Sequence, residues 1–110
     1  MTDNIEAEKI FSEALDDFEK GNYARAVYLF TMAAECELPK AMYNLGICYY
    51  DGHGVDVDWK KAAELYEKAA ELGHDKAQFN IGICYLHGRG VQKDEAKAVE
   101  WFRKAAEQGD

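Results

Sequence analysis

Cys84 and His87 stand three positions apart, close enough on one helix face to give a metal ion two ligands. The matching positions 36 residues earlier hold Cys48 and Asp51. A zinc site needs three or four converging ligands. His53 and His74 fall in a loop and at a helix end, so no metal is expected. Gly52-His53-Gly54 and Gly88-Arg89-Gly90 resemble pieces of a phosphate cradle. Such a cradle follows a strand and carries a third glycine or a Gly-Lys-Ser/Thr run. Neither is present, so both segments read as turns. No Ser/His/Asp or Cys/His/Asn set can be brought together by sequence reasoning. No catalytic residue and no cofactor are expected, and the chain does not read as an enzyme.

These residues share a spacing. Ala41, Asn44, Gly46, Cys48 and Tyr49 recur as Ala77, Asn80, Gly82, Cys84 and Tyr85. Gly52, Gly54 and Val55 recur as Gly88, Gly90 and Val91, and Lys68-Ala69-Ala70-Glu71 recurs as Lys104-Ala105-Ala106-Glu107. Matches at one fixed offset of 36 residues mark an internal repeat. A period of about 20 to 50 residues points to a solenoid or array.

Each unit reads as a helix pair. Ala41, Leu45, Cys48 and Tyr49 share one helical face. Gly52 then ends the helix, since glycine reaches positive φ without strain. Asp58 can cap the next helix. Ala62, Leu65, Tyr66, Ala69 and Leu72 form its face, and Gly73 stops it. In the last copy Asp94 is the cap, Ala98, Trp101, Phe102 and Ala105 are the face, and Gly109 is the stop. Gly46 and Gly82 lie inside helices, at a cost of roughly 1 kcal/mol each against alanine. That cost predicts close backbone approach by a neighbour, with the small Ala69-Ala70 and Ala105-Ala106 pairs suited to the facing surface. Residues 1–4 read as a start without regular structure. Two further helical patterns follow, divided by Gly21-Asn22, and Pro39 ends that pair.

The pattern Ala-x3-Leu/Ile-Gly-x2-Tyr-x2-Gly-x-Gly-Val-x2-Asp-x2-Lys-Ala-x6-Ala-Ala-Glu-x-Gly resembles the Sel1-like repeat family, a relative of the tetratricopeptide repeats. It covers residues 41–76 and 77–110. Residues 5–40 lack the Gly-x-Gly-Val loop, and Gly21-x-Tyr23-x2-Ala26-x3-Phe30-x2-Ala33 resembles an ordinary tetratricopeptide unit. The resemblance implies one all-α domain over 1–110: three antiparallel helix pairs in a right-handed superhelix, the first helices lining its concave side. It also implies a role in assembling other proteins. Cysteine-rich relatives bind or cleave β-lactams through repeats with two bridged cysteines. Each full unit here has one cysteine, so that activity does not carry over.

The formal charge is −8, with −5 in residues 1–40, −3 in 41–76 and zero in 77–110. Nucleic acid and anionic membranes are poor partners for such a surface. No apolar run reaches the ~20 residues of a membrane span, and the polar start is not a signal peptide. Three cysteines read as reduced thiols of a cytoplasmic protein. An export signal processed away before residue 1 is the alternative.

Function is expected on the concave side. Phe11, Leu15 and Phe18 correspond to Tyr43, Ile47 and Tyr50, and then to Phe79, Ile83 and Leu86. Anchors of this kind in a groove suit a peptide or helix of a partner protein; packing between adjacent first helices is the plainer alternative. A chaperone-tail clamp is not expected, because only Lys76 and Asn80 offer the polar groups for one. The other surface of interest is the last helix. No capping helix follows Gly109, which leaves Trp101 and Phe102 as a face for a following repeat or for weak self-association.

Overall fold

Apolar residues at helical spacing and left-handed stops divide the chain into six helices. The structure is a computed structural model that describes residues 4–109. The helices are α1 (Asn4–Glu19), α2 (Tyr23–Glu35), α3 (Pro39–Asp51), α4 (Trp59–Glu71), α5 (Asp75–His87) and α6 (Glu95–Glu107). They pack as the pairs α1–α2, α3–α4 and α5–α6, each stacked on the next through α2–α3 and α4–α5. No strand occurs among the described residues, so the protein is an all-α solenoid. The expected irregular start at 1–3 lies outside the described residues, and Asn4 already belongs to α1.

The predicted caps form. Asp58 accepts from the Lys61 amide at 3.0 Å, and Asp94 from the Lys97 amide at 3.1 Å. Pro39 does not end the first pair. It opens α3 at the first helical position, where its missing N–H costs nothing. The chain has already turned at Glu37, whose φ is 60°.

Two cores run through the stack. One joins Phe11, Phe30, Leu45 and Cys48 between the first and second pairs. The other joins Met42, Tyr66, Ile81 and Cys84 between the second and third. Phe30 is fully buried, which stabilises the fold by about 1.5–3 kcal/mol. Leu72, expected on the buried face of α4, is exposed at its end. The helix stops at Glu71, so Leu72 no longer follows the helical face.

The helix glycines are used differently from the expectation. Their neighbour is neither backbone nor an alanine pair but an aromatic ring of the same unit. A Cβ on Gly46 would lie 2.7 Å from Tyr66 Cε1, and one on Gly82 would lie 2.6 Å from Phe102 Cε1. The Gly-x-Gly loops lean back on the preceding unit. A Cβ on Gly54 would lie 2.5 Å from the Tyr23 carbonyl oxygen, and Gly90 sits on Trp59 in the same way. The residue between each glycine pair is thereby aimed at two rings. His53 lies 5.4 Å from Phe18 and 4.7 Å from Tyr23. Arg89 lies 5.2 Å from Trp59 and 6.0 Å from Tyr50.

Candidate functional site

Residues of α3 and α5 together line two cavities. The first, about 540 Å³, is lined by Tyr43, Asp75, Lys76, Phe79, Asn80, Phe102, Ala105 and Ala106. The second, about 290 Å³, is lined by Ile47, Tyr50, Asp51, Tyr66, Asn80 and Ile83. Asn80 belongs to both. Its amide lies near the hydroxyls of Tyr43 and Tyr66. Burial pushes both phenols above their ordinary range, and the Asn80 contact works against that shift. Its counterpart Asn44 lines neither cavity. Asn44 instead donates to the Lys40 carbonyl at 2.8 Å.

The nine groove candidates separate into groups. Tyr43 and Phe79 line the first cavity, and Ile47, Tyr50 and Ile83 the second. Phe11, Leu15, Phe18 and Leu86 line neither. Phe11 is only 7% exposed, 5.8 Å from Phe30 and beneath the Lys40 ammonium at 5.0 Å. Leu15 is exposed, and Phe18 is half-buried among Phe30, Tyr23 and His53. Tyr43 is half-buried between Tyr66 at 6.1 Å and His74 at 4.8 Å. Tyr50 is half-buried, stacked on Trp59 at 5.7 Å, with its hydroxyl accepting from Arg89. Ile47, Ile83 and Leu86 are half-buried. Phe79 is 51% exposed and leans on Phe102 at 5.4 Å. Trp101 and Phe102, the candidates on the last helix, are both half-buried.

Sequence reasoning placed Tyr66 in a core and did not connect it to the cavity it lines. It also passed over Arg89, Trp59 and His74. The signal was present for two of them, since Arg89 occupies the middle of the second Gly-x-Gly loop and Trp59 follows the cap Asp58. His74 carries the cap of α5: its Nδ1 accepts from the Ala77 amide at 3.2 Å. Burial lowers its pKa from the ordinary imidazole range.

The groove offers shape and hydrogen bonds. No cluster of three metal-ligating side chains occurs among the described residues. Cys84 is buried while His87 is exposed. Cys36, Cys48 and Cys84 are free thiols, and burial pushes Cys48 and Cys84 up to about 11. No helix among the described residues is long and apolar enough to cross a membrane.

The sequence model of the Sel1 repeat matches residues 12–38, 39–74 and 75–110. No curated protein matched. Among solved structures, the chain is similar to a protective antigen of uropathogenic Escherichia coli with an SLR fold. That match has 37% identity and a TM-score of 0.90 and covers 96% of this chain and 23% of the antigen. It is also similar to a Sel1 repeat protein from Oxalobacter formigenes, at 40% identity and TM-score 0.86, covering 91% of this chain and 41% of that one. The chain thus spans well under two thirds of either. Helicobacter pylori cysteine-rich protein B shares the fold, at 24% identity and TM-score 0.75, over 94% of this chain and 89% of that protein.

Proposed function

The chain belongs to the Sel1 repeat family, and on that premise we propose that its concave groove holds a peptide or helix of a partner protein. Sel1 repeat proteins are generally non-enzymatic interaction scaffolds. The observation that carries the reading is the pair of cavities joined at Asn80. Phe79 supplies an exposed ring at one end and Tyr50 a half-buried one at the other. Asn80 offers an amide in between, suited to a main-chain group of an extended ligand. Leu15, Phe18 and Leu86 extend this surface at its margins, while Phe11 is buried and belongs to the packing between helices. The charge of −8 favours a partner other than nucleic acid or an anionic membrane, and three free thiols suit the cytoplasm.

A displayed library of random peptides tests this. Peptides enriched on the wild-type chain should be lost on Phe79→Glu and on Ile83→Asp, with helical content unchanged by circular dichroism. Enrichment that survives both changes places binding elsewhere.

The exposed residues of α6 favour a second reading, self-association through the face that carries Trp101 and Phe102. Light scattering at rising concentration separates the two: a groove binder stays monomeric, while a self-associating module grows.

A further inference from the structure

The two cavities of the groove differ in charge. The first is lined by both Asp75 and Lys76, while the charged residue lining the second is Asp51. Asp51 is the last residue of α3, where the helix dipole disfavours a carboxylate. The last turn of α3 holds no basic residue, and the matching position of α5 is His87. The carboxylate therefore works against the helix that carries it. Its charge is also felt inside the protein. Burial is the main cause that raises the Cys48 thiol and the Tyr66 phenol, and Asp51 adds to both. Among the described residues, its ion contact is with His53 Nε2 at a long 3.9 Å, and His53 carries charge only when protonated.

The other walls suit a cation with an apolar stem. Tyr50 and Tyr66 stand 6.3 Å apart between ring centroids. Ile47 and Ile83 line the same space of about 290 Å³. Tyr50 is held from outside the cavity. Trp59 stacks on it at 5.7 Å and donates its Nε1 hydrogen to the Tyr50 carbonyl at 3.3 Å. Arg89 donates to the Tyr50 hydroxyl and lies 6.0 Å from the ring centroid, so this ring already accepts a cation beside it. Arg89 itself does not line the cavity.

We propose that the second cavity takes a basic side chain, lysine or arginine, from the partner segment held in the groove. The proposal rests on the groove reading and names the residue class that this part of the groove selects. The methylenes of such a side chain lie along Ile47 and Ile83, and its cationic head meets Asp51 beside the two tyrosines. An apolar side chain would fill the space but would strip water from the Asp51 carboxylate without replacing it. An acidic one would meet a like charge. The chain's net charge of −8 draws a basic segment in the same direction.

Two measurements test this. The first needs no peptide: n-butylammonium and its neutral counterpart butan-1-ol are titrated into the isotope-labelled full chain at low salt. The ammonium should shift the amides of Tyr50, Asp51 and Asn80 more than the alcohol does. Asp51→Asn should remove that difference without lowering the melting temperature, since α3 loses an unfavourable charge. Equal shifts from the two probes, or an ammonium effect that survives Asp51→Asn, overturn the proposal. The second uses peptides enriched on the wild-type chain from a random library. They should share a lysine or arginine at one position, and norleucine there should weaken binding about twofold to fivefold, the range of an exposed ion pair. Asp51→Lys should reverse the preference in favour of glutamate. Peptides that are lost on Phe79→Glu yet share no basic residue overturn the seat and leave the groove standing. Peptides that survive both Phe79→Glu and Ile83→Asp overturn the groove reading itself.

Discussion

The ring of Tyr66 lies against Gly46 so closely that a Cβ there would sit 2.7 Å from Cε1 and 2.8 Å from Cδ1. Tyr66 has little room to yield. It is 2% exposed, with Tyr43 and Tyr50 at 6.1 and 6.3 Å. Gly82 meets Phe102 in the same way, but Phe102 lies on the open side of α6 and can swing outward. Alanine in a free helix position would add roughly 1 kcal/mol of stability, while overpacking a full core costs about 1–3 kcal/mol. Gly46→Ala should therefore destabilise the protein by urea unfolding, and Gly82→Ala should cost clearly less. Equal costs would mean that both rings are held equally.

Gly54 and Gly90 each combine positive φ with a carbonyl at contact. Gly21 and Gly73 have positive φ and nothing within 4 Å. Alanine at the latter pair incurs only the left-handed penalty, about 1–2 kcal/mol. Gly54→Ala and Gly90→Ala should cost more than this, because the loop must also lift off the preceding helix. Unfolding midpoints of the four variants check the order.

Phe11→Ala and Phe79→Ala divide the aromatic candidates. Phe11 is buried, so its loss should cost about 3–5 kcal/mol of stability. Phe79 is half in solvent, and its truncation should stay within roughly 0.5–1 kcal/mol. For peptides selected on the groove, Phe79→Ala should weaken binding by about 2 kcal/mol if this ring is a central anchor. A Phe79→Ala chain that binds them normally would remove it from the site.

His74 makes stability depend on pH. Its neutral Nδ1 accepts the Ala77 amide, and protonation would turn that acceptor into a donor. Its folded pKa lies below the unfolded one, so its contribution is complete above the ordinary imidazole range and declines as pH falls. Asn caps a helix without titrating. Between pH 7.5 and 5 the melting temperature of the wild type should fall further than that of His74→Asn, the cap being worth about 1 kcal/mol. Parallel curves would show that the dependence does not come from His74.

Thiol reactivity follows burial. Cys48 and Cys84 are buried with thiols pushed up to about 11, while Cys36 is half-buried. A thiol reagent at neutral pH should label Cys36 first in the native protein and all three only after unfolding. Rapid labelling of Cys84 would show that the third pair opens readily.

The sequence alone determined the repeat, the helix pairs and their stops. Apolar spacing, the caps Asp58 and Asp94, and the glycines at 52 and 88 are local signals, and each acts within a few residues. The family pattern was legible for the same reason. The tertiary structure decided which aromatics are core and which stay exposed, because burial depends on residues brought in from another helix or unit. Phe11 and Phe79 hold corresponding positions, yet Phe30 and Lys40 cover one while the other leans on Phe102 and stays 51% exposed. Gly46 signalled a close approach, but only the packing of α4 on α3 identified the neighbour as the Tyr66 ring. Asn44 and Asn80 are one residue by sequence pattern. They part in structure: Asn80 lines both cavities, while Asn44 donates to the Lys40 carbonyl of its own helix.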